Sequence, residues 1–285
     1  MWHYNIAGIH IAIDVERAPG LPRMINFEPF ACQPGPADLL YRCIAYPPAT
    51  RPVPPESEMT LASCDEMNSL YLCGGSIYKC VAMQSDDPRR MWFVQQIGRW
   101  GEAEIYIPED WLDYNGIGNA FSVEKTILPF GGLILHCSLI AYQNQGIMFS
   151  APSQTGKSTQ ASLWEKYRGA KILNGDRGLI RASDEGIFAY GSPWAGSSAL
   201  YINEKVPLRA VVMLEQAKEN SIRRLDHAEA LGLFVQQSSL PMWQNDLFEL
   251  GLATLEKIIV QVPMYLLACL PDESAVECLE KCLKK

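Results

Sequence analysis

Residues 146 to 159 have the types and spacing that bind phosphate groups: Gly-Ile-Met-Phe-Ser-Ala-Pro-Ser-Gln-Thr-Gly-Lys-Ser-Thr. In a P-loop, backbone N–H groups and a helix N-terminus bind anionic oxygens, a lysine binds the β and γ phosphates, and a hydroxyl binds Mg²⁺. Lys157 and Ser158 are the lysine and the hydroxyl here. The residues that we expect to bind a nucleotide are Ser153, Gln154, Thr155, Gly156, Lys157, Ser158 and Thr159.

The pattern around this loop agrees with that chemistry, with one departure. Residues 147–149 predict a short buried strand before the loop, and residues 158–167 predict a helix after it. The motif G-x-x-x-x-G-K-[ST] has Ala151 in place of its first glycine. The alternative is an ordinary helix N-terminus capped by Ser153 or Thr155.

An acidic residue follows the next predicted strand. Residues 169–173 form a short strand-like run that ends in Asn174-Gly175-Asp176-Arg177. Strand, loop, helix and strand predict a compact right-handed βαβ unit whose two strands end at the same edge of a sheet. Asp176 would then lie beside the phosphates, where it can hold Mg²⁺ or accept a proton from a hydroxyl nucleophile. The alternative is an aspartate in a tight Asn-Gly turn.

A histidine precedes the P-loop strand on a neighbouring element. His136 lies within the apolar run 133–140, and residues 142–146 predict a hairpin turn into the P-loop strand. His136 therefore enters next to the strand that carries the loop. The alternative is a buried histidine without a chemical role.

Four segments together resemble the catalytic domain of HPr kinase/phosphorylase and its relatives, which include kinases found beside peptide-modifying enzymes and, more distantly, phosphoenolpyruvate carboxykinase. The segments are residues 136–140, 145–149, 153–159 and 171–177. The resemblance implies ATP-dependent transfer of the γ-phosphoryl group to a serine-like hydroxyl. It also implies that Ser158 and Asp176 hold Mg²⁺, and it makes Asp176 and His136 the candidate catalytic residues.

One departure from that family leaves two functions open. Such sequences usually carry two consecutive aspartates where this chain has Gly175-Asp176. If Asp176 matches the metal-binding acid, His136 is the substitute proton acceptor that the alignment offers. The chain is then either a kinase that acts on a peptide, carrier protein or small molecule, or a catalytically impaired ATP-binding regulatory or accessory protein. A GTPase is disfavoured, because residues 203–206 lack the Asn-Lys-x-Asp that reads guanine.

The rest of the chain supplies the elements that must position these residues. Residues 1–122 read as a smaller β-rich domain, with strands expected at 8–13, 77–83 and 103–107. Residues 123–285 are expected to form an α/β, HPr kinase-like P-loop domain with a mixed sheet. It begins with a helix-like stretch at 122–128 and ends in helices at 228–237, 244–260 and 274–284.

The segment after Asp176 departs from an ordinary doubly wound nucleotide-binding domain, in which a helix would follow. Residues 178–181 and 186–190 predict an antiparallel hairpin. The hairpin leads into the glycine-, proline- and serine-rich loop 191–198, which we expect to close over the nucleotide or the acceptor. The candidate substrate-contacting residues are Arg177, Trp194, Gly196 and Ser197; the alternative is a turn with a packed tryptophan.

Composition narrows the class of protein. The chain has 285 residues, is 48% apolar and carries a net charge of −8, which disfavours a nucleic-acid partner. It has no run of 18 apolar residues, and its first residues do not resemble a signal peptide, so we expect a cytoplasmic protein with no membrane partner. The nine cysteines are scattered and are expected to be reduced. A homo-oligomer stays open.

Overall fold

The computed structural model describes residues 1–65, 68–82, 90–96, 101–113, 117–121 and 126–284. The chain divides into two compact units, Met1–Thr126 and Ile127–Lys285. Of the helix-like stretch expected at 122–128, residues 122–125 lie outside the described residues, and Leu128–Phe130 begin the described part of the second unit as a short 3-10 helix.

The first unit is built on one eight-stranded sheet of order β1-β2-β3-β8-β7-β6-β5-β4. The pairs β2–β3 and β3–β8 are parallel and the other pairs are antiparallel. The strands expected at 8–13, 77–83 and 103–107 correspond to β2, β6 and β8. The strand bounds are β1 Trp2–Ile6, β2 Ile9–Arg17, β3 Leu39–Tyr46, β4 Thr60–Cys64, β5 Asn68–Cys73, β6 Ser76–Ala82, β7 Arg90–Gln96 and β8 Glu102–Pro108.

The second unit combines eight strands with four α-helices in its described residues. The strands are β9 Gly132–Tyr142, β10 Gln145–Ser150, β11 Lys171–Asn174, β12 Arg177–Ser183, β13 Gly186–Tyr190, β14 Lys205–Gln216, β15 Ser221–Arg224 and β16 Met264–Cys269. The helices are α1 Lys157–Arg168, α2 His227–Gln237, α3 Asn245–Gln261 and α4 Glu273–Leu283. The predicted P-loop helix and the three C-terminal helices are confirmed to within about one residue at each end. None of the described helices has the length and hydropathy needed to cross a lipid bilayer.

The sheet of the second unit has the order β10-β9-β12-β13-β14-β16-β15, with β11 also paired to β9. β10 pairs with β14 as well, so β10, β9, β12, β13 and β14 form a closed circuit of hydrogen-bonded neighbours. The circuit closes because the long strands β9 and β14 each pair with β10 along one part and with the β12–β13 hairpin along another. Two large mixed sheets and their helices give the chain an α/β fold.

The strands around the P-loop end at one edge of this sheet. β10 and β11 both run antiparallel to β9, and they lie on opposite sides of it, since Leu139 of β9 faces Met148 of β10 and Asn174 of β11. β10 and β11 therefore end at the same edge of the sheet, as expected. β9 lies between them. The predicted β9–β10 hairpin is confirmed, and its turn residues Gln143 and Asn144 have φ of 50° and 58°, as in a type I′ turn.

Candidate functional site

The predicted P-loop connects the end of β10 to the first turn of α1. β10 lies inside the sheet, between β9 and β14. The loop turns through Gln154 and Gly156, whose φ values are 65° and 120°. Only glycine adopts the second value without strain, so the last glycine of the motif is required by the backbone here. Ser153, Gln154, Ser158 and Thr159 are exposed, and Thr155 and Gly156 are half-buried.

The residue that departs from the P-loop motif is accommodated by the core. Ala151 is 2% exposed and belongs to the cluster of Phe149 and Trp164, which packs α1 against the sheet. A methyl group therefore contributes to packing where the motif has a glycine. Within the described residues, no side chain caps α1, so neither Ser153 nor Thr155 acts as the N-cap. The first N–H groups of the helix are available to an anion.

Lys157 lies across the loop with its ammonium group turned inward. It is 8% exposed, and its Nζ donates hydrogen bonds to the carbonyl oxygens of Ala151 at 2.9 Å and Pro152 at 3.2 Å. Burial lowers the pKa of Lys157 from its ordinary value, and the negative charge of Asp176 partly offsets that shift. A phosphate group would give this ammonium a stronger partner than two neutral carbonyls.

Asp176 and His136 contact each other, and Asp176 is near enough to Lys157 to interact with it electrostatically. Arg177, the first residue of β12, pairs with His136 of β9, and the two strands bring the preceding aspartate to the same point. Nε2 of His136 lies 3.4 Å from Oδ1 of Asp176, and both side chains are about one-third exposed, at 34% and 31%. Nε of Arg177 lies 3.6 Å from Oδ2. The pKa of Asp176 is lowered, first by the His136 hydrogen bond and then, against the effect of burial, by Arg177. The carboxylate is therefore ionised at neutral pH.

Asn174 holds the turn that presents Asp176, and the sequence did not single it out. Its side chain is fully buried, and Oδ1 accepts from the backbone N–H groups of Asp176 at 2.9 Å and Arg177 at 2.7 Å. Its Nδ2 donates to the hydroxyl of Ser192 at 3.0 Å and to the carbonyl of Trp194 at 3.2 Å. The only sequence signal was the Asn-Gly pair, which is typical of any turn.

The loop 191–198 packs directly on the Asp176 turn. Gly196 has φ of 53°, and a Cβ atom built on it would lie 2.9 Å from Cγ of Asp176, so the loop backbone covers the carboxylate. Ser192 is fully buried and its hydroxyl donates to the Arg177 carbonyl at 2.5 Å. Trp194 is half-buried and Ser197 lies in the short 3-10 helix Gly196–Ser198. The predicted loop therefore lies against Asp176, and the backbone of Gly196 is the part of it that approaches the carboxylate.

The same loop explains why position 175 carries no acid. A Cβ atom built on Gly175 would lie 2.5 Å from both Cβ and Oγ of Ser198. That distance is well inside the contact distance of about 3.5–4.0 Å between carbon atoms. The hydroxyl of Ser198 is held by the Ala195 carbonyl at 2.6 Å. An aspartate at 175 has no room while the loop has this conformation.

Ser158 and Asp176 are of the residue types that hold a magnesium ion shared with a nucleotide. In the described part of the chain, no group of three or more His, Cys, Asp or Glu side chains is arranged to hold a metal ion. Mg²⁺ does not require such a group, because it is commonly bound by one or two protein ligands together with waters and phosphate oxygens. An ionised Asp176 and an exposed Ser158 at the first turn of α1 supply that number of ligands.

Comparisons with known proteins give one family and a set of solved structures. No curated protein matches the chain. A solved structure of the HPr(Ser) kinase/phosphatase from Coxiella burnetii matches 53% of this chain and 92% of its own, with 10% sequence identity and a TM-score of 0.32. The family profile described as SynChlorMet cassette protein ScmC matches residues 117–284. Because that match covers more than half of the sequence, the chain belongs to the ScmC family.

Proposed function

We propose that this protein is a phosphotransferase with an HPr kinase-like P-loop domain, which transfers the γ-phosphoryl group of ATP to a serine-like hydroxyl. The supporting observation is that Asp176, between β11 and β12, interacts both with His136 of β9 and with Lys157 of α1. Asp176 interacts electrostatically with Lys157 and contacts His136 at 3.4 Å. Such a cluster of a cation, an ionised acid and an imidazole next to helix N–H groups supports transfer of a phosphoryl group.

In this proposal the P-loop binds and orients the triphosphate. The N–H groups at the N-terminus of α1 and those of the preceding loop donate to phosphate oxygens, apart from that of Thr155, which donates to the Pro152 carbonyl at 3.4 Å. Lys157 leaves its two carbonyl partners and binds a phosphate, because a hydrogen bond to a charged acceptor is stronger than one to a neutral carbonyl. Ser158 and Asp176 would hold Mg²⁺, which would supply positive charge to neutralise the phosphate groups.

His136 is the proposed proton acceptor for the hydroxyl of the substrate. Its Nε2 faces Oδ1 of Asp176, so the carboxylate favours the tautomer with the proton on Nε2. Nδ1 then carries the lone pair that can accept a proton. Asp176 orients the imidazole in this proposal and also holds the metal, and the single acid thereby serves two purposes.

The family is described as a cassette protein, so we expect the phosphate acceptor to be a peptide or protein that a neighbouring gene of the cassette encodes. The second candidate function, an ATP-binding regulatory or accessory protein, is favoured by Gly175, because the acid pair of related kinases is absent and Ser198 fills its space.

An acceptor screen tests the proposal. Purified protein, radiolabelled ATP and Mg²⁺ are incubated with serine-containing peptides, carrier proteins of the cassette and free hydroxy amino acids. We expect one acceptor class to be labelled by wild type and not by Lys157→Ala. Lys166→Ala, which removes a lysine from the last turn of the same helix, is the matched control and should label normally. If the protein binds ATP tightly and labels no acceptor, the second candidate function, an ATP-binding regulatory or accessory protein, is favoured over the kinase.

A further inference from the structure

An open cleft of about 360 Å³ lies against the P-loop, and the wall of it that faces the loop has no role in the site described so far. Loop residues 154–156 and the first turn of α1 form one wall. The other wall is formed by the last residues of β14 and β16 and the chain that follows them, at 216–217 and 269–271. β14 and β16 are parallel, so the cleft lies beyond the carboxyl ends of adjacent parallel strands, where α/β sheets commonly bind ligands. None of the lining residues carries a charged side chain.

Gln160 lines this cleft, and its side chain carries an unpaired hydrogen-bond acceptor. The residue is 2% exposed, and its Nε2 donates to Sγ of Cys269 at 3.3 Å and to the carbonyl of Leu270 at 3.4 Å. The Leu270 carbonyl can only accept, so it fixes which end of the amide faces it. Oε1 is buried and has no hydrogen-bond partner among the described residues. Buried amide oxygens nearly always accept a hydrogen bond, so we expect a bound ligand to supply the donor for this oxygen.

The cleft is also connected to the phosphate loop. Nε2 of Gln216 donates to the carbonyl of Gln154 at 3.3 Å and approaches that of Thr155 at 3.5 Å. Gln154 has the positive φ of 65° that shapes the loop, and Gln216 supports this conformation from the side of the cleft. One molecule that extends from the P-loop into the cleft would therefore contact both Gln160 and the loop.

We propose that the cleft binds the base of the nucleotide, and that the amide of Gln160 turns toward the base so that its Oε1 accepts a hydrogen bond from the exocyclic amino group of adenine. This inference rests on the proposed nucleotide binding at the P-loop. The uncharged lining and the apolar surfaces of Leu270 and Pro271 suit a flat neutral base. An acceptor at this point favours a 6-amino purine, whose amino group donates, over a purine that has no group there to donate.

The test compares three ligands that differ by one part each: ATP, purine riboside triphosphate, which lacks the 6-amino group, and inorganic tripolyphosphate. Binding is measured by calorimetry for wild type, Gln160→Leu and Gln160→Met. Gln261→Leu, an exposed glutamine at the end of α3, is the matched control. A thermal unfolding scan shows that each variant is folded, and Gln160→Met provides a second replacement if Gln160→Leu does not fold.

We expect wild type and the control to bind ATP about 5–10-fold more tightly than purine riboside triphosphate, the size of one net hydrogen bond. The Gln160 variants should bind both nucleotides equally and tripolyphosphate as wild type does. If these variants keep the ATP preference, or if wild type has none, Gln160 does not recognise the amino group of adenine. Nucleotide binding at the P-loop is not affected by either result. Failure of wild type to bind tripolyphosphate and ATP overturns both proposals.

Discussion

Introducing a second acid beside Asp176 by Gly175→Asp should destabilise the protein and should not raise phosphoryl transfer. The new Cβ would lie 2.5 Å from Cβ and Oγ of Ser198, so the loop 191–198 must move by about 1 Å to restore normal contact. Overpacking of this kind typically costs about 1–3 kcal/mol. The moved loop would also release the contact of Gly196 with Asp176.

A thermal unfolding scan measures this cost. About 2 kcal/mol corresponds to a fall of about 4–8 °C in Tm for a unit of this size. Ser198→Gly removes both clashing atoms, so the double variant should regain most of the lost Tm. Gly232→Asp adds the same acid where nothing lies within 4 Å and serves as the control. A Gly175→Asp protein with unchanged Tm and faster transfer would refute the reasoning, because the acid would then fit beside Ser198.

Three further predictions concern the site itself. Asn174→Ala removes the acceptor of two backbone N–H groups, so the free energy of unfolding in urea should fall by about 2–4 kcal/mol; a change below 1 kcal/mol would contradict its role in the turn. Burial lowers the pKa of Lys157 in the free protein and a phosphate would raise it again. ATP binding at alkaline pH should therefore take up protons, and calorimetric enthalpies should differ between buffers of different ionisation enthalpy, whereas Lys157→Ala should show no such difference. His136→Ala should keep ATP affinity and lose about 10²–10⁴-fold in transfer rate; unchanged transfer would remove His136 as the proton acceptor.

Local patterns predicted most of the elements that carry the site. The β9–β10 hairpin, the P-loop turn and the helix after it are encoded within a few residues of each other, and the structure has them where the sequence indicates. The βαβ connection also predicted that β10 and β11 end at the same edge of the sheet, and in the structure both strands run antiparallel to β9. Alternation and turn residues are sufficient for such short-range features.

Contacts between distant parts of the chain were not predictable in this way. The insertion of β9 between β10 and β11 depends on pairing, which periodicity does not encode. The space at Gly175 is decided by Ser198, and the hydrogen bonds of Asn174 are decided by the loop at 192–194. Gln160 is buried because the chain after β16 passes over α1, and a glutamine in a helix gives no signal of that contact.

If the P-loop and Asp176 form one Mg²⁺–nucleotide site, the magnesium dependence of ATP affinity must depend on Asp176. Calorimetric titrations of ATP with Mg²⁺ and with EDTA are compared for wild type and Asp176→Asn, which keeps the size of the side chain and removes its charge. We predict that Mg²⁺ tightens ATP binding to wild type at least about tenfold, the effect of roughly 1.4 kcal/mol, and that Asp176→Asn binds ATP equally with and without Mg²⁺. An Asp176→Asn protein that keeps the full magnesium enhancement would contradict the account.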